Sequence, residues 1–150
     1  DLSEAKVTVT GVPDRPGIAA NLFRRLADAD VNVDMIVQNV AEGGITDISF
    51  TVPHADLDRA LEICEAKRAE IGATSVEADH EIGKVSVIGA GMKSNPGVAA
   101  TMFETLADNG INIEMISTSA IRISCVIAED QTDRAVQVLH DVFELDKTEF

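Results

Sequence analysis

The nine residues Gly11-Val12-Pro13-Asp14-Arg15-Pro16-Gly17-Ile18-Ala19 hold the groups best suited to bind a small ligand. They lead from a β-branched segment into a helical one, and a helix N-terminus offers unpaired N–H groups at the positive end of its dipole. Gly17 lets a molecule approach that backbone closely. The junction therefore suits the carboxylate of an amino acid, with Asp14 as the counter-charge for its ammonium group. A purely structural reading stands beside this one: Asp14 as a helix cap and Pro16-Gly17 as a turn. Gln38 and Asn39 add weight to the first, because amides on an otherwise apolar strand need polar partners and a ligand can supply one.

No catalytic pattern holds in the sequence. Gly89-Ala90-Gly91 imitates a dinucleotide-binding loop, but its third glycine is displaced to Gly97 and Pro96 intervenes. His54, His80 and His140 are dispersed, without the spacing of zinc ligands or of a histidine-centred triad. No glycine loop followed by Lys-Ser/Thr is present, and the excess of Asp and Glu is spread along helices as solvated faces. Cys64 and Cys125 lack CxxC spacing and read as small core residues of a reducing compartment. No catalytic residue, metal site or cofactor is expected.

The elements that carry the junction occur twice. PGIAANLFRRLADADVNVDMI, from Pro16 to Ile36, aligns without a gap to PGVAATMFETLADNGINIEMI, from Pro96 to Ile116, and matches at about half its positions. The flanks repeat as well: Lys6-Val7-Thr8-Val9 as Lys84-Val85-Ser86-Val87, and Asp58-Arg59-Ala60 as Asp133-Arg134-Ala135. In the first copy, Val7 and Val9 alternate with Thr8 and Thr10 as a strand ending at Gly11. Pro16 then opens a helix whose apolar face is Ile18, Leu22, Phe23, Leu26 and Ala27 and which ends near Asp30. Residues 31–40 and 46–52 read as a hairpin around Ala41-Glu42-Gly43-Gly44. A helix marked by Leu57, Leu61, Cys64 and Ile71 and a last strand over 74–79 complete the order βαββαβ. This is the ferredoxin-like arrangement, of α+β class. The second copy has Val98, Met102, Phe103 and Leu106 on its first helix, Gly110 as C-cap, and Ala135, Val138, Leu139, Val142 and Phe143 on its second. It stops one strand short, because Leu145 to Phe150 has little strand character. The module bounds are 1–81 and 82–150.

Composition narrows the partners. A formal charge of −14 repels phosphate backbones, and the absence of Trp and Tyr leaves little surface on which bases stack. Nucleic acid is not an expected partner. With no apolar run of the ~18 residues needed to span a bilayer and no signal-like start, neither is a membrane, and a cytoplasmic location is expected. The missing initiator Met points to a processed product or a piece of a longer chain.

At these residues the chain resembles the ACT domain family, small βαββαβ modules that bind amino acids at the loop between the first strand and the first helix. KVTVTGVPDRPGIAA, DMIVQNV, GKVSVIGAGMKSNPGVAA and NIEMISTSAIRIS resemble in particular the paired ACT modules at the C-terminal end of bacterial aspartate kinases. The resemblance covers nearly the whole chain and implies a regulatory region, made within the kinase or as a separate small subunit, that senses threonine, lysine or both for feedback inhibition. The kinase reaction, ATP-dependent phosphorylation of the aspartate side chain, would lie outside this chain.

Carried over residue by residue, the resemblance implies an effector site between the first module of one chain and the second of another, in a homodimer. Asp14, Gly17, Ile18, Ala19 and Gln38 would form one wall, and Asn112 and Ile113 the other. A weaker, pseudo-symmetric pocket would use Ser94, Gly97, Val98 and the Ser117-Thr118-Ser119 strand, facing Asn32 and Val33, and would suit lysine or stand empty. Ala120 departs from the family pattern, which has Glu there. Two other readings remain: a stand-alone ACT sensor acting on another enzyme or on transcription, and a ferredoxin-like hydrolase or nucleotide enzyme. The last would require a catalytic Arg/Asn loop or a phosphate cradle.

Overall fold

The computed structural model describes residues 3–41, 43–89 and 97–144, which divide into two units, Ser3–His80 and a second running from Glu81. The first contains β1 (Glu4–Pro13), α1 (Ile18–Asp28), β2 (Ile36–Ala41), β3 (Ile45–Pro53), α2 (Leu57–Ile71) and β4 (Ser75–Asp79), with a 3-10 turn at His54–Asp56. Its antiparallel sheet has the order β2-β3-β1-β4, the βαββαβ arrangement expected. Period-two alternation in β1 and β3 turns Val7, Val9, Ile48, Phe50 and Val52 toward the helices, where they meet Leu22, Leu26, Ala60, Ile63 and Cys64. The Phe23 and Phe50 rings meet edge-on with centroids 5.4 Å apart.

The second unit contains β5 (Ile82–Ile88), α3 (Gly97–Asp108), β6 (Met115–Thr118), β7 (Arg122–Ala128) and α4 (Thr132–Glu144), with sheet order β5-β7-β6. The duplication extends to individual side chains: the hydroxyls of Thr8 and Ser49 pair across β1 and β3 at 3.0 Å, and those of Ser86 and Ser124 across β5 and β7 at 2.8 Å. β4 covers the outer edge of β1, whereas among the described residues the second sheet has three strands and none beside β5 on that edge. Residues 145–150 lie outside the described ones.

Four local expectations are corrected. β1 does not end at Gly11. That residue takes φ 71° in a bulge between Val9 and Val12, and the ladder resumes with Val12 opposite Thr46 and Pro13 opposite Ile45. α1 begins at Ile18 rather than Pro16, because Pro16 and Gly17 form the preceding turn. Its end at Asp28 is closed by the N–H groups of Asp30 and Val31, which reach back to the carbonyls of Ala27 and Leu26 at 3.0 Å, with Asp30 at φ 60°. The backbone donors of Val31 and Asn32 are thereby committed to Leu26 and to Asp56, which delays β2 to Ile36. Ala27, placed on the apolar face from its spacing, is exposed.

Candidate functional site

Past the bulge, the loop between β1 and α1 is tied down by backbone. The Gly11 N–H donates to Asp47 Oδ1 at 3.0 Å, and the Asp14 N–H to the Gly44 carbonyl at 2.7 Å. Gly17 is the N-cap of α1 at φ 88°, and no side chain caps the helix. The structural reading of Asp14 therefore fails: its carboxylate is exposed, is not the helix cap, and bonds to no other described residue. Asn21 N–H closes the first turn on the Gly17 carbonyl at 2.9 Å, which leaves the N–H groups of Ala19 and Ala20 without an intrahelical acceptor. An uncapped helix N-terminus, beside an uncommitted carboxylate, presents donors for a carboxylate and an acceptor for an ammonium group.

Asp14, Gly17, Ile18, Ala19 and Gln38 line one cleft of about 340 Å³ within the first unit. Two further residues of this cleft escaped sequence reasoning. The β2–β3 register sets Gln38 opposite Ile48, so Gln38, Ile48 and Thr46 share one face of the sheet, and Thr46 and Ile48 close the floor of the cleft. Counting back by two from Ile48, a strong core candidate, would have found Thr46. Its hydroxyl donates to the Asn39 carbonyl at 2.7 Å. Asn39, named beside Gln38 from sequence, sits opposite Asp47 and is not among the residues lining the cleft.

Asn32, Val33, Asn112 and Ile113 occupy loops anchored from the segment that follows each hairpin. Asn32 and Val33 lie between α1 and β2, where Asp56 Oδ2 accepts from the Asn32 N–H at 3.2 Å and Arg59 reaches the Ala29 carbonyl at 3.0 Å. Arg59 is itself held by Asp56 Oδ1 at 2.8 Å. Asn112 and Ile113 stand at the equivalent place between α3 and β6, Asn112 exposed and Ile113 packed against the second core. There, Arg134 and Gln131 make longer bonds, 3.4 Å to Asn109 and 3.5 Å to the Gly110 carbonyl. The repeated Asp-Arg-Ala triplet thus owes its arginine to loop anchoring, a role invisible without the fold.

Gly97 and Val98 open α3. Ser119 turns the β6–β7 hairpin, its Oγ accepting from the Arg122 N–H at 3.1 Å, and helps line a cleft of about 240 Å³ with Ser117, Thr118 and Arg122. Gly97 and Val98 are not part of that lining. Ser94 lies outside the described residues. The two thiols are buried among apolar side chains, which pushes Cys64 up to about 12 and Cys125 to about 11. Among the described residues, no three His, Cys, Asp or Glu side chains are gathered for a metal ion, and no helix is long and apolar enough to cross a membrane.

The profile of the ACT domain family matches residues 7–67 and 85–143, one stretch in each unit. The aspartokinase of Mycolicibacterium smegmatis is 55% identical over 147 residues, which is 97% of this chain and 35% of that protein. The aspartokinase of Corynebacterium glutamicum is 54% identical over the same length. The chain thus spans about a third of the length of the curated relatives it matches. Two solved structures match over nearly their whole chains. One, of aspartokinase alpha and beta subunits, has 48% identity, covers 96% of this chain and 95% of its own, and gives a TM-score of 0.91. The ligand-free regulatory subunit of aspartate kinase from Thermus thermophilus has 40% identity, covers 95% of each chain and gives 0.89. With two α+β modules, matching family profiles in both and regulatory subunits among its structural neighbours, this chain belongs to the ACT domain family, as a paired regulatory region of the aspartate kinase type.

Proposed function

We propose that this chain senses the end products threonine and/or lysine and conveys their level to the catalytic subunit or domain of an aspartate kinase. The first cleft is the primary effector site, and the observation that carries this reading is the pairing of an uncapped helix N-terminus with the unpartnered carboxylate of Asp14. The α-carboxylate docks on the N–H groups of Ala19 and Ala20, and the α-ammonium on Asp14. Threonine fits what remains: a hydroxyl for Gln38 and Thr46 and a methyl for Ile18 and Ile48. Lysine carries a second ammonium, and Asp14 is the only acid in the lining, so the first cleft favours threonine.

Asn112 and Ile113 of a second copy complete this site in a homodimer, which couples effector binding to assembly. The pocket around Ser94, Gly97, Val98 and Ser119, facing Asn32 and Val33, is a second effector position that takes lysine or stays empty. Calorimetry of the purified protein against threonine, lysine and their mixture tests the assignment. Saturable threonine binding that Asp14→Asn weakens supports it, and absence of heat with every amino acid of this biosynthetic group overturns it.

A further inference from the structure

The first turn of α1 is joined to α2 by a side-chain ring found in one repeat only. Asn21 Nδ2 donates to Glu70 Oε2 at 3.0 Å, and Lys67 Nζ donates to Asn21 Oδ1 at 2.9 Å and to Glu70 Oε2 at 2.8 Å. Each member thus bonds the other two. The Lys67 hydrogen bond, and then that of Asn21, hold the Glu70 carboxyl below the usual carboxylate range. At the aligned positions of the second repeat stand Thr101 and Val142, which have no charge with which to build such a ring. The ring therefore accompanies the repeat whose loop offers Asp14.

Its placement gives it a consequence that its stability contribution does not. An exposed ion pair of this kind adds little to folding, and both helices already have apolar faces in the core. The turn it grips, however, is the one whose first residues, Gly17, Ile18 and Ala19, line the cleft. That turn starts from Gly17, a left-handed glycine with open space around the position of an added Cβ and no side-chain cap; Ile18 and Ala19 rest on the core, and Asn21 adds a polar tie from the turn to α2. Asn21 is attached at both ends, its N–H to the Gly17 carbonyl and its amide to α2. We infer that Asn21, held by Lys67 and Glu70, is a positioning residue that preorganises the N-terminal turn of α1 for the carboxylate of the effector. This rests on the reading of the first cleft as the effector site, and supplies the device that distinguishes it from its counterpart.

Threonine calorimetry on Asn21→Ala, Lys67→Met and the double variant, with Lys67→Arg as the conservative replacement, tests the role. Each of Asn21→Ala and Lys67→Met should weaken binding about 3- to 10-fold, the range for ordering one turn at the moment of binding. The double variant should lose little more than either, as members of one ring do, and Lys67→Arg should restore most of the affinity. The melting temperature should hold, since Ala favours the helix. In the ligand-free protein, exchange of the Asn21 backbone N–H, which closes the first turn on the Gly17 carbonyl, should quicken in Lys67→Met, a readout independent of any effector. Unchanged affinity in both single variants, with Asp14→Asn weakened, overturns the positioning role and leaves the cleft standing. Unchanged affinity in Asp14→Asn as well overturns both.

Discussion

Asp14→Asn removes a charge from the first cleft while leaving nearly everything else in place. The backbone bond from residue 14 to the Gly44 carbonyl is unaffected, and Gly17, not Asp14, caps α1. The carboxylate is exposed and has no partner among the described residues, so folding should change by no more than about 0.5 kcal/mol, as for an ordinary surface substitution. Binding should respond differently. A hydrogen bond to a charged group contributes about 1.5–3 kcal/mol. Because Asp14 sits at the exposed rim, the lower part of that range applies, which is roughly a 10- to 30-fold loss of threonine affinity.

The ammonium itself supplies the control. 3-Hydroxybutyrate is threonine without its amino group, so it should bind the native protein poorly and gain no further penalty in Asp14→Asn. Calorimetry with both ligands on both proteins closes a double-mutant cycle across protein and ligand. Equal affinity of the native and Asp14→Asn proteins for threonine would refute the assignment of the ammonium to Asp14. A stability loss of about 1 kcal/mol in Asp14→Ala that Asp14→Asn does not share would instead restore the helix-cap reading.

Three further outcomes are expected. Gly11→Ala should cost about 2–4 kcal/mol in chemical denaturation, because the residue would be held at φ 71° with its Cβ against the side chain of Thr74, and an unchanged midpoint would show that the bulge relaxes freely. Cys64 and Cys125 should resist a disulfide-exchange reagent at pH 8 until the chain unfolds. Since the unfolded thiols ionise near 9.0 while the native ones stay protonated to about 12 and 11, stability should fall as pH rises above 9, and fast labelling of the native protein at pH 8 would contradict their burial. Threonine at a hundred times its dissociation constant should stabilise the folded protein by about 2.7 kcal/mol and shift light scattering toward the dimer, whereas a melting temperature indifferent to threonine, lysine and their mixture would remove the effector role.

The architecture was largely legible because it rests on period and duplication. Val7-Thr8-Val9-Thr10 alternates as a half-buried strand must, and Leu22, Leu26, Met102 and Leu106 recur at helical spacing and are all fully buried. What sequence hid was backbone committed to partners distant in the chain. Gly11 reads as the end of a strand, and only the bond to Asp47, 36 residues away, shows that the strand bulges there and continues. Val31 looks like strand but belongs to the closure of α1, since its N–H is bonded to Leu26. Thr46, Ile48 and the ring at Asn21 are set by sheet register and helix packing, which composition and spacing do not encode.

The duplication also separates what the fold requires from what a ligand would. Between the repeats, apolar volume is kept where the cores need it: Leu22 and Met102, Phe23 and Phe103, Leu26 and Leu106, Val31 and Ile111. Polar groups near the first cleft are not kept. Asn21 becomes Thr101, Gln38 becomes Thr118, and Asp47, which holds the Gly11 N–H, becomes Arg122, while the equivalent Gly89 N–H donates instead to the Ile121 carbonyl at 2.9 Å. Packing constrains volume and leaves exposed polar groups free to change, so their divergence in two units of the same fold does not arise from stability. The first junction carries Asp14, Gln38 and Asn21, whereas the sequence from Gly89 to Gly97 has no acid and Thr118 and Thr101 stand where Gln38 and Asn21 do, so the two junctions differ in side-chain chemistry. On that ground, a single ligand should not fill both with equal affinity, and calorimetric titration with threonine should reach saturation at one strong site per chain.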